Sequence, residues 1–183
     1  IFLSMVIFIA GLIGTGKSAL SQALAEKLGI FHYDVDEIKK LILPTDPNYE
    51  YNLKNNIIFS EETKAKVYCR VVEDFPRLAK QYKTIIVEDV MNNKNVRQIL
   101  FDGAATYFGG YMLVWVTCDE DIIKERLEKN QRPGHMLKDP FAYYLALKKQ
   151  FDDFENPDII IENNTDLDAS LETLVSFVTS KIK

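Results

Sequence analysis

Residues 11–18 read Gly-Leu-Ile-Gly-Thr-Gly-Lys-Ser, directly after the apolar run Met5–Ala10 and at the start of an amphipathic run, Lys17–Leu28. A chain that sets G-x-x-x-x-G-K-[ST] between a strand and a helix has few folds open to it. The glycines let the loop curl until successive backbone N–H groups point inward at phosphate oxygens. Lys17 then offers a cation to the β and γ phosphates, and the Ser18 hydroxyl is a ligand for Mg²⁺. The helix behind them aims the positive end of its dipole at the same anion. A glycine turn without a nucleotide is the alternative, and the flanking elements argue against it. The expected cofactors are therefore ATP and Mg²⁺, with Gly11, Gly14, Thr15, Gly16, Lys17, Ser18 and Leu20 as the nucleotide-binding set.

The rest of the chain repeats the same alternation. Apolar runs at Met5–Ala10, 31–35, 84–87, Tyr111–Thr117 and 158–161 read as five strands. Such continuous runs suit parallel strands covered on both faces. Helical spacing fills Lys17–Leu28, 61–82, 121–129, 141–154 and 168–181, with Pro76 a kink in the second of these. Segments 43–59 and 130–140 are rich in turn formers and read as irregular and exposed. The 183 residues, 47% of them hydrophobic, suit a single domain spanning 1–183. Within it, an acceptor-binding insertion is expected at about 40–80 and a lid at about 124–140.

Charge and cysteine usage exclude other classes. A net charge of −5 argues against a protein-wide grip on duplex nucleic acid or an anionic membrane. Two cysteines, Cys69 and Cys118, make neither a disulfide framework nor a four-cysteine zinc site. No apolar run reaches the roughly 18 residues a membrane span needs. The expectation is a cytoplasmic protein with small-molecule partners and no membrane.

Three further groups carry chemistry. After the second strand stands Tyr33-Asp-Val-Asp-Glu-Ile-Lys39, and a strand running through Asp34 and Asp36 would point both carboxylates to one side. Acids there hold Mg²⁺-bound water or take a proton from an acceptor hydroxyl. The plainer reading is that Asp36 caps a helix starting at Glu37. The third strand ends in Glu88-Asp89, where either acid suits a metal-facing strand end and an ordinary polar end is equally open. Arg126, Lys129, Arg132, His135 and Lys138 surround the segment Asn-Gln-Arg-Pro-Gly-His. Arginines on a flap match the charge that phosphoryl transfer spreads over equatorial oxygens, and Arg132 is the candidate. Lys124 and Lys129 read as a solvated face, and His135 as a loop residue.

With these residues in place the chain resembles the small P-loop kinases: shikimate, gluconate and chloramphenicol kinases, zeta toxins and the polynucleotide kinase-like, AAA-type ATP-binding proteins. The resemblance runs through nearly the whole chain and is strict at the P-loop. It implies an α/β, three-layer P-loop NTPase sandwich whose five-stranded, mostly parallel sheet has the order 2-3-1-4-5. It implies Lys17, Asp36 and Arg132 as catalytic residues, Asp36 being the base at the acceptor hydroxyl. Ser18, Asp34 and Glu88 are implied at the metal, and Arg126 and Arg132 at the nucleotide. Lys39 stands where the polynucleotide kinase-like members carry an arginine, and Asn130 where their lid carries another. The implied activity is transfer of the γ-phosphate of ATP to a hydroxyl of a small molecule or of a nucleotide or polynucleotide end. A regulatory or toxin-like ATP-binding module with little acceptor turnover is the alternative. A dephospho-coenzyme A kinase-like activity is a more distant one, resting on the Gly-Thr-Gly-Lys-Ser loop and Asp34-Val-Asp-Glu-Ile. The base is expected between Arg126 and the turn 163–165. Tyr49, Tyr51, Asn52, Asn55 and Asn56 are open to two readings, a grip on a sugar, base or polyol or a solvated loop.

Overall fold

A computed structural model of the chain describes residues 4–129, 137 and 139–182. Five strands form one sheet in the order β2-β3-β1-β4-β5: β1 (Met5–Ala10), β2 (Phe31–Tyr33), β3 (Thr84–Asp89), β4 (Tyr111–Thr117) and β5 (Ile159–Glu162). Every pairing is parallel. Strand β1 lies at the centre, and its alternation explains both faces. Val6, Phe8 and Ala10 point into one apolar cluster, Ile7 and Ile9 into the other, and all five are fully buried. Helices must cover both sides of such a strand.

Among the described residues the α-helices are α1 (Lys17–Leu28), α2 (Val35–Ile42), α3 (Tyr49–Lys54), α4 (Glu61–Gln81), α5 (Lys94–Phe108), α6 (Glu120–Lys129), α7 (Pro140–Lys149) and α8 (Leu167–Ile182). Leu20 and Leu24 of α1 meet Leu174 and Val178 of α8 against Ile7 and Ile9. On the opposite face Val71 and Phe75 of α4 and Leu100 of α5 pack on Phe8. Helix α4 starts at the Ser60 cap, whose hydroxyl accepts from the Thr63 N–H, and runs unbroken through Pro76.

Several elements differ from their sequence reading. The helix expected at 141–154 is α7 and ends at Lys149. Strand β2 stops at Tyr33, two residues short, because Asp34 turns the chain into α2. The segment 43–59 is not wholly irregular: a 3₁₀ turn at Leu43–Thr45 and helix α3 interrupt it. Helix α5 has no counterpart in the sequence reading. Its apolar residues Val96, Leu100, Phe101, Ala104 and Phe108 are buried, and Asn93 caps it by accepting from the Val96 N–H. No helix among the described residues is long and apolar enough to cross a membrane.

Candidate active site at the carboxyl ends of the central strands

Register brings the site together. Ala10, the last residue before the loop, lies beside Asp89, and Ile9 beside Glu88. Tyr33, just before Asp34, lies beside Val87. The loop 11–18 and both acidic strand ends therefore share one edge of the sheet, where ligands of open parallel sheets bind.

The loop is built for close backbone approach. Gly16 has φ +86°, and a Cβ there would sit 2.3 Å from Asn163 Nδ2. That amide is buried and donates to the Thr15 carbonyl at 2.8 Å, so it cannot retreat without releasing the loop. Gly16→Ala is expected to cost about 1–3 kcal/mol in thermal or urea unfolding, through strained backbone and a displaced Asn163. An unchanged unfolding midpoint would refute this.

Lys17 is buried, and its Nζ lies 3.1 Å from Glu88 Oε1. Ser18 is exposed at the N-terminus of α1. A hydroxyl at the N-terminus of α1 and the Glu88 carboxylate, which already pairs with the loop lysine, are oxygen groups of the kind that would hold magnesium. No group of three or more His, Cys, Asp or Glu among the described residues could hold a metal. Leu20 does not belong with this set. Its side chain is fully buried in the core, and only its backbone N–H reaches the loop, donating to the Gly16 carbonyl at 3.1 Å.

Arg126 meets the loop from behind. Its guanidinium donates to the Thr15 carbonyl at 3.2 Å and to the Asn163 carbonyl at 3.0 Å. Asn163 in turn accepts from the Ser170 hydroxyl. Arg126 and the turn 163–165 thus stand together, and what they visibly do is hold the loop. Arg132, His135 and Lys138, with the middle of the expected lid, lie outside the described residues.

The acids after β2 are placed differently from their sequence reading. Asp34, not Asp36, caps the helix: its Oδ1 accepts from the N–H groups of Asp36 at 2.9 Å and Glu37 at 3.4 Å. Asp36 sits in the first turn of α2, so no strand aligns the two carboxylates. Its side chain is exposed, with Oδ1 3.0 Å from Lys39 Nζ.

Lys39 is the residue the sequence underrates. Its Nζ bridges Asp36 to the buried Asp89 at 2.5 Å, and Tyr68 donates its hydroxyl to the other Asp89 oxygen at 2.8 Å. Burial opposes charge on both members of this pair. Lys39, then its hydrogen bond, nevertheless holds the Asp89 carboxyl below its usual value, and Asp89 and Asp36 hold Lys39 well above its own. Burial and the Asp89 charge push Tyr68 up, keeping it a neutral donor.

These shifts have a sign. Asp89 contributes stability that is present above its unfolded pKa of about 3.9 and is lost as pH falls through the lower folded value. Lys39 contributes below its unfolded pKa of about 10.4 and loses that contribution as pH rises through the higher folded one. Asp89→Asn is expected to lower stability near neutral pH by about 2–4 kcal/mol, since it strands a partly buried lysine. It is also expected to flatten the acid limb of the stability curve. Urea unfolding across the acid range tests both, and an acid limb as steep as the wild type's would remove the pair from the account.

Beside this cluster lies a cavity of about 460 Å³, lined among others by Ile13 of the loop, Lys39, Tyr68 and Asp89. From the insertion, Leu43, Leu53, Ile58 and Phe59 reach it. The polar side chains of that segment do not. Tyr51 is exposed, Asn55 donates to the Tyr51 carbonyl, and Tyr49 stacks on Phe59 with centroids 6.0 Å apart. The stretch 43–59 therefore meets the cavity with apolar groups, and Lys64 and Tyr68 of α4 are the polar residues that the insertion brings to it.

Past β3 the chain turns through Met91, which is buried at φ +54°, a strained conformation for a side chain of this size. Arg97 of α5 holds the turn by donating to the Met91 carbonyl at 3.1 Å, and its guanidinium lies 4.0 Å over the Phe154 ring.

A parallel sheet in this order, with a phosphate-type loop after the central strand, acids on the neighbouring strand ends and a cavity beside them, defines a P-loop NTPase-type α/β protein. The sequence matches the AAA domain family over residues 7–138, and the chain belongs to that family. No curated protein matches it in sequence. Among solved structures it is similar in fold to a sugar kinase from Janibacter sp. HTCC2649, with TM-score 0.77 and 14% identity over 96% of this chain and 95% of that one. A gluconokinase from Sinorhizobium meliloti 1021 gives TM-score 0.75 and 18% identity over 100% of this chain and 95% of the other. The APS kinase of Mycobacterium tuberculosis, solved with AMPPNP and APS, gives 0.67 and 16% over 98% and 99%. The fold expected from the sequence, strand order included, is the one found.

Proposed function

We propose that the protein is an ATP-dependent phosphotransferase acting on the hydroxyl of a small molecule. The observation that carries this reading is the adjacency of two sites: a loop with Lys17 against Glu88, and a partly open cavity reached by the Asp36–Lys39–Asp89 chain. A protein that only bound nucleotide would need the first and not the second. The kinase names of the similar structures support the reading.

In this reading the loop N–H groups and Lys17 grip the β and γ phosphates. Ser18, Asp34 and Glu88 would hold a magnesium ion, Asp34 with the oxygen not engaged in capping α2, and the ion would supply positive charge to the phosphates. The acceptor oxygen bonds to the γ-phosphorus as the bond to the β–γ bridging oxygen breaks, and the hydroxyl proton passes to Asp36. Lys39 positions Asp36 and screens it from Asp89. Arg132 is assigned to transition-state charge, and the base to the space between Arg126 and the turn 163–165. Because phosphate contacts dominate, base selectivity is modest.

Titration with ATP and Mg²⁺, followed by ADP release against a panel of alcohols, tests the proposal. Acceptor-stimulated ADP release is the expected result. Nucleotide binding with no stimulation across the panel would overturn it in favour of a binding module.

A further inference from the structure

At the edge of the apolar cavity stand one unpaired donor, the Asn92 amide, and a lysine, Lys64, whose only side-chain hydrogen bond among the described residues is a long one to that same amide. Asn92 is 5% exposed, and its Nδ2 has no hydrogen-bond partner, while its Oδ1 faces Lys64 Nζ at 3.4 Å. Burial lowers the pKa of Lys64 against the opposing charges of Glu61, Asp89 and Asp152, and none of these carboxylates lies within ion-pair distance of it. Both residues line the cavity of about 460 Å³ and also a second, more polar hollow opening past Asn95 and Asp152. Leaving a buried amide N–H unpaired is unfavourable, and a desolvated lysine adds to that. Two donors held together this way, one neutral and one cationic, match the oxygens of a carboxylate.

The rest of the cavity sets the other half of the ligand. Leu43, Leu53, Phe59, Val67 and Leu147 offer no partner to a ring of hydroxyls. Lys39, Tyr68, Asp89 and Tyr143 are the polar groups of the rest of the wall, and the first three already pair with one another, so a polyol entering there would lose more water than these groups replace. Its size lies within the range of small-molecule sites.

Resting on the phosphotransferase reading above, we infer that the acceptor is an acidic alcohol with an apolar body. Its carboxylate is held between Lys64 and Asn92, its body lies on Phe59 and the leucines, and its hydroxyl points toward Asp36 and the loop. Lys64 and Asn92 are then specificity residues, remote from the transferring phosphate.

The test uses a hydroxymethyl naphthoate, its methyl ester and gluconate as probes, with binding measured by calorimetry separately from ADP release. The acid is expected to bind at least about tenfold more tightly than the ester, one charge-assisted contact being worth that much. Gluconate is expected not to bind. Lys64→Met and Asn92→Leu are each expected to erase the acid–ester difference while the ester's affinity holds. Asn92→Leu also removes an unpaired donor, so its melting temperature is expected not to fall. If that variant does not fold, Lys64→Met, altering a partly exposed side chain, still decides. Equal binding of acid and ester by the wild type, tight gluconate binding, or a preference that survives Lys64→Met overturns the inference. Preferential acid binding without ADP release in any panel would leave the pocket's chemistry standing and sink the kinase reading. Turnover of polyols alone would do the reverse.

Discussion

Lys17→Ala is expected to lower kcat/KM for phosphoryl transfer by about 10³, the scale of a lost preorganised cation at a developing charge. ATP affinity is expected to fall with it, because in the proposed reading the same ammonium also serves the β-phosphate in the ground state. The structure adds a complication that a sequence reading would miss. Lys17 and Glu88 are paired with side chains only 9% and 14% exposed, so the single variant also strands a carboxylate. Part of any activity loss would then be instability. Adding Glu88→Gln separates the two effects, since a neutral amide relieves the stranded charge. The double variant is expected to regain thermal stability and to stay inactive. Activity returning together with stability would mean that Lys17 acts as a structural partner of Glu88 and that the phosphate assignment is wrong.

The parts legible in the sequence are those carried by local pattern. The run Met5–Ala10 followed by Gly11 to Ser18 fixes strand, loop and helix at once, because each residue type there has one local conformational role. The missed helix α5 has a physical reason. Gly103 lies inside it, where glycine argues for a break, but the spot is too close to Val72 for a side chain: a Cβ would stand 2.7 Å from Cγ2. Packing decides that residue, and packing against α4 is not visible in one dimension. The same holds for Asp34 and Asp36. Alternation along a strand aligns them only if the strand continues, and the Asp34 cap ends it. The Lys39–Asp89 bridge joins residues from α2 and β3, and no spacing rule connects those two positions.

Separating chemistry from binding falls to Asp36. Its side chain is 73% exposed and pairs with Lys39, which keeps Asp89 as a second partner. Asp36→Asn therefore changes stability by no more than about 0.5 kcal/mol, as at ordinary surface sites. ATP affinity is expected to hold as well. Acceptor phosphorylation is expected to fall by about 10²–10⁴, the range of a lost general base. Asp34→Asn is the matched comparison, because asparagine caps a helix about as well as aspartate and α2 survives the change. Its loss is expected in the magnesium dependence of the rate. Full activity in Asp36→Asn with none in Asp34→Asn would exchange the two roles and move the base to the cap itself. If neither change slows transfer, the proton leaves by another route and the carboxylate beside Lys39 serves only to position that lysine.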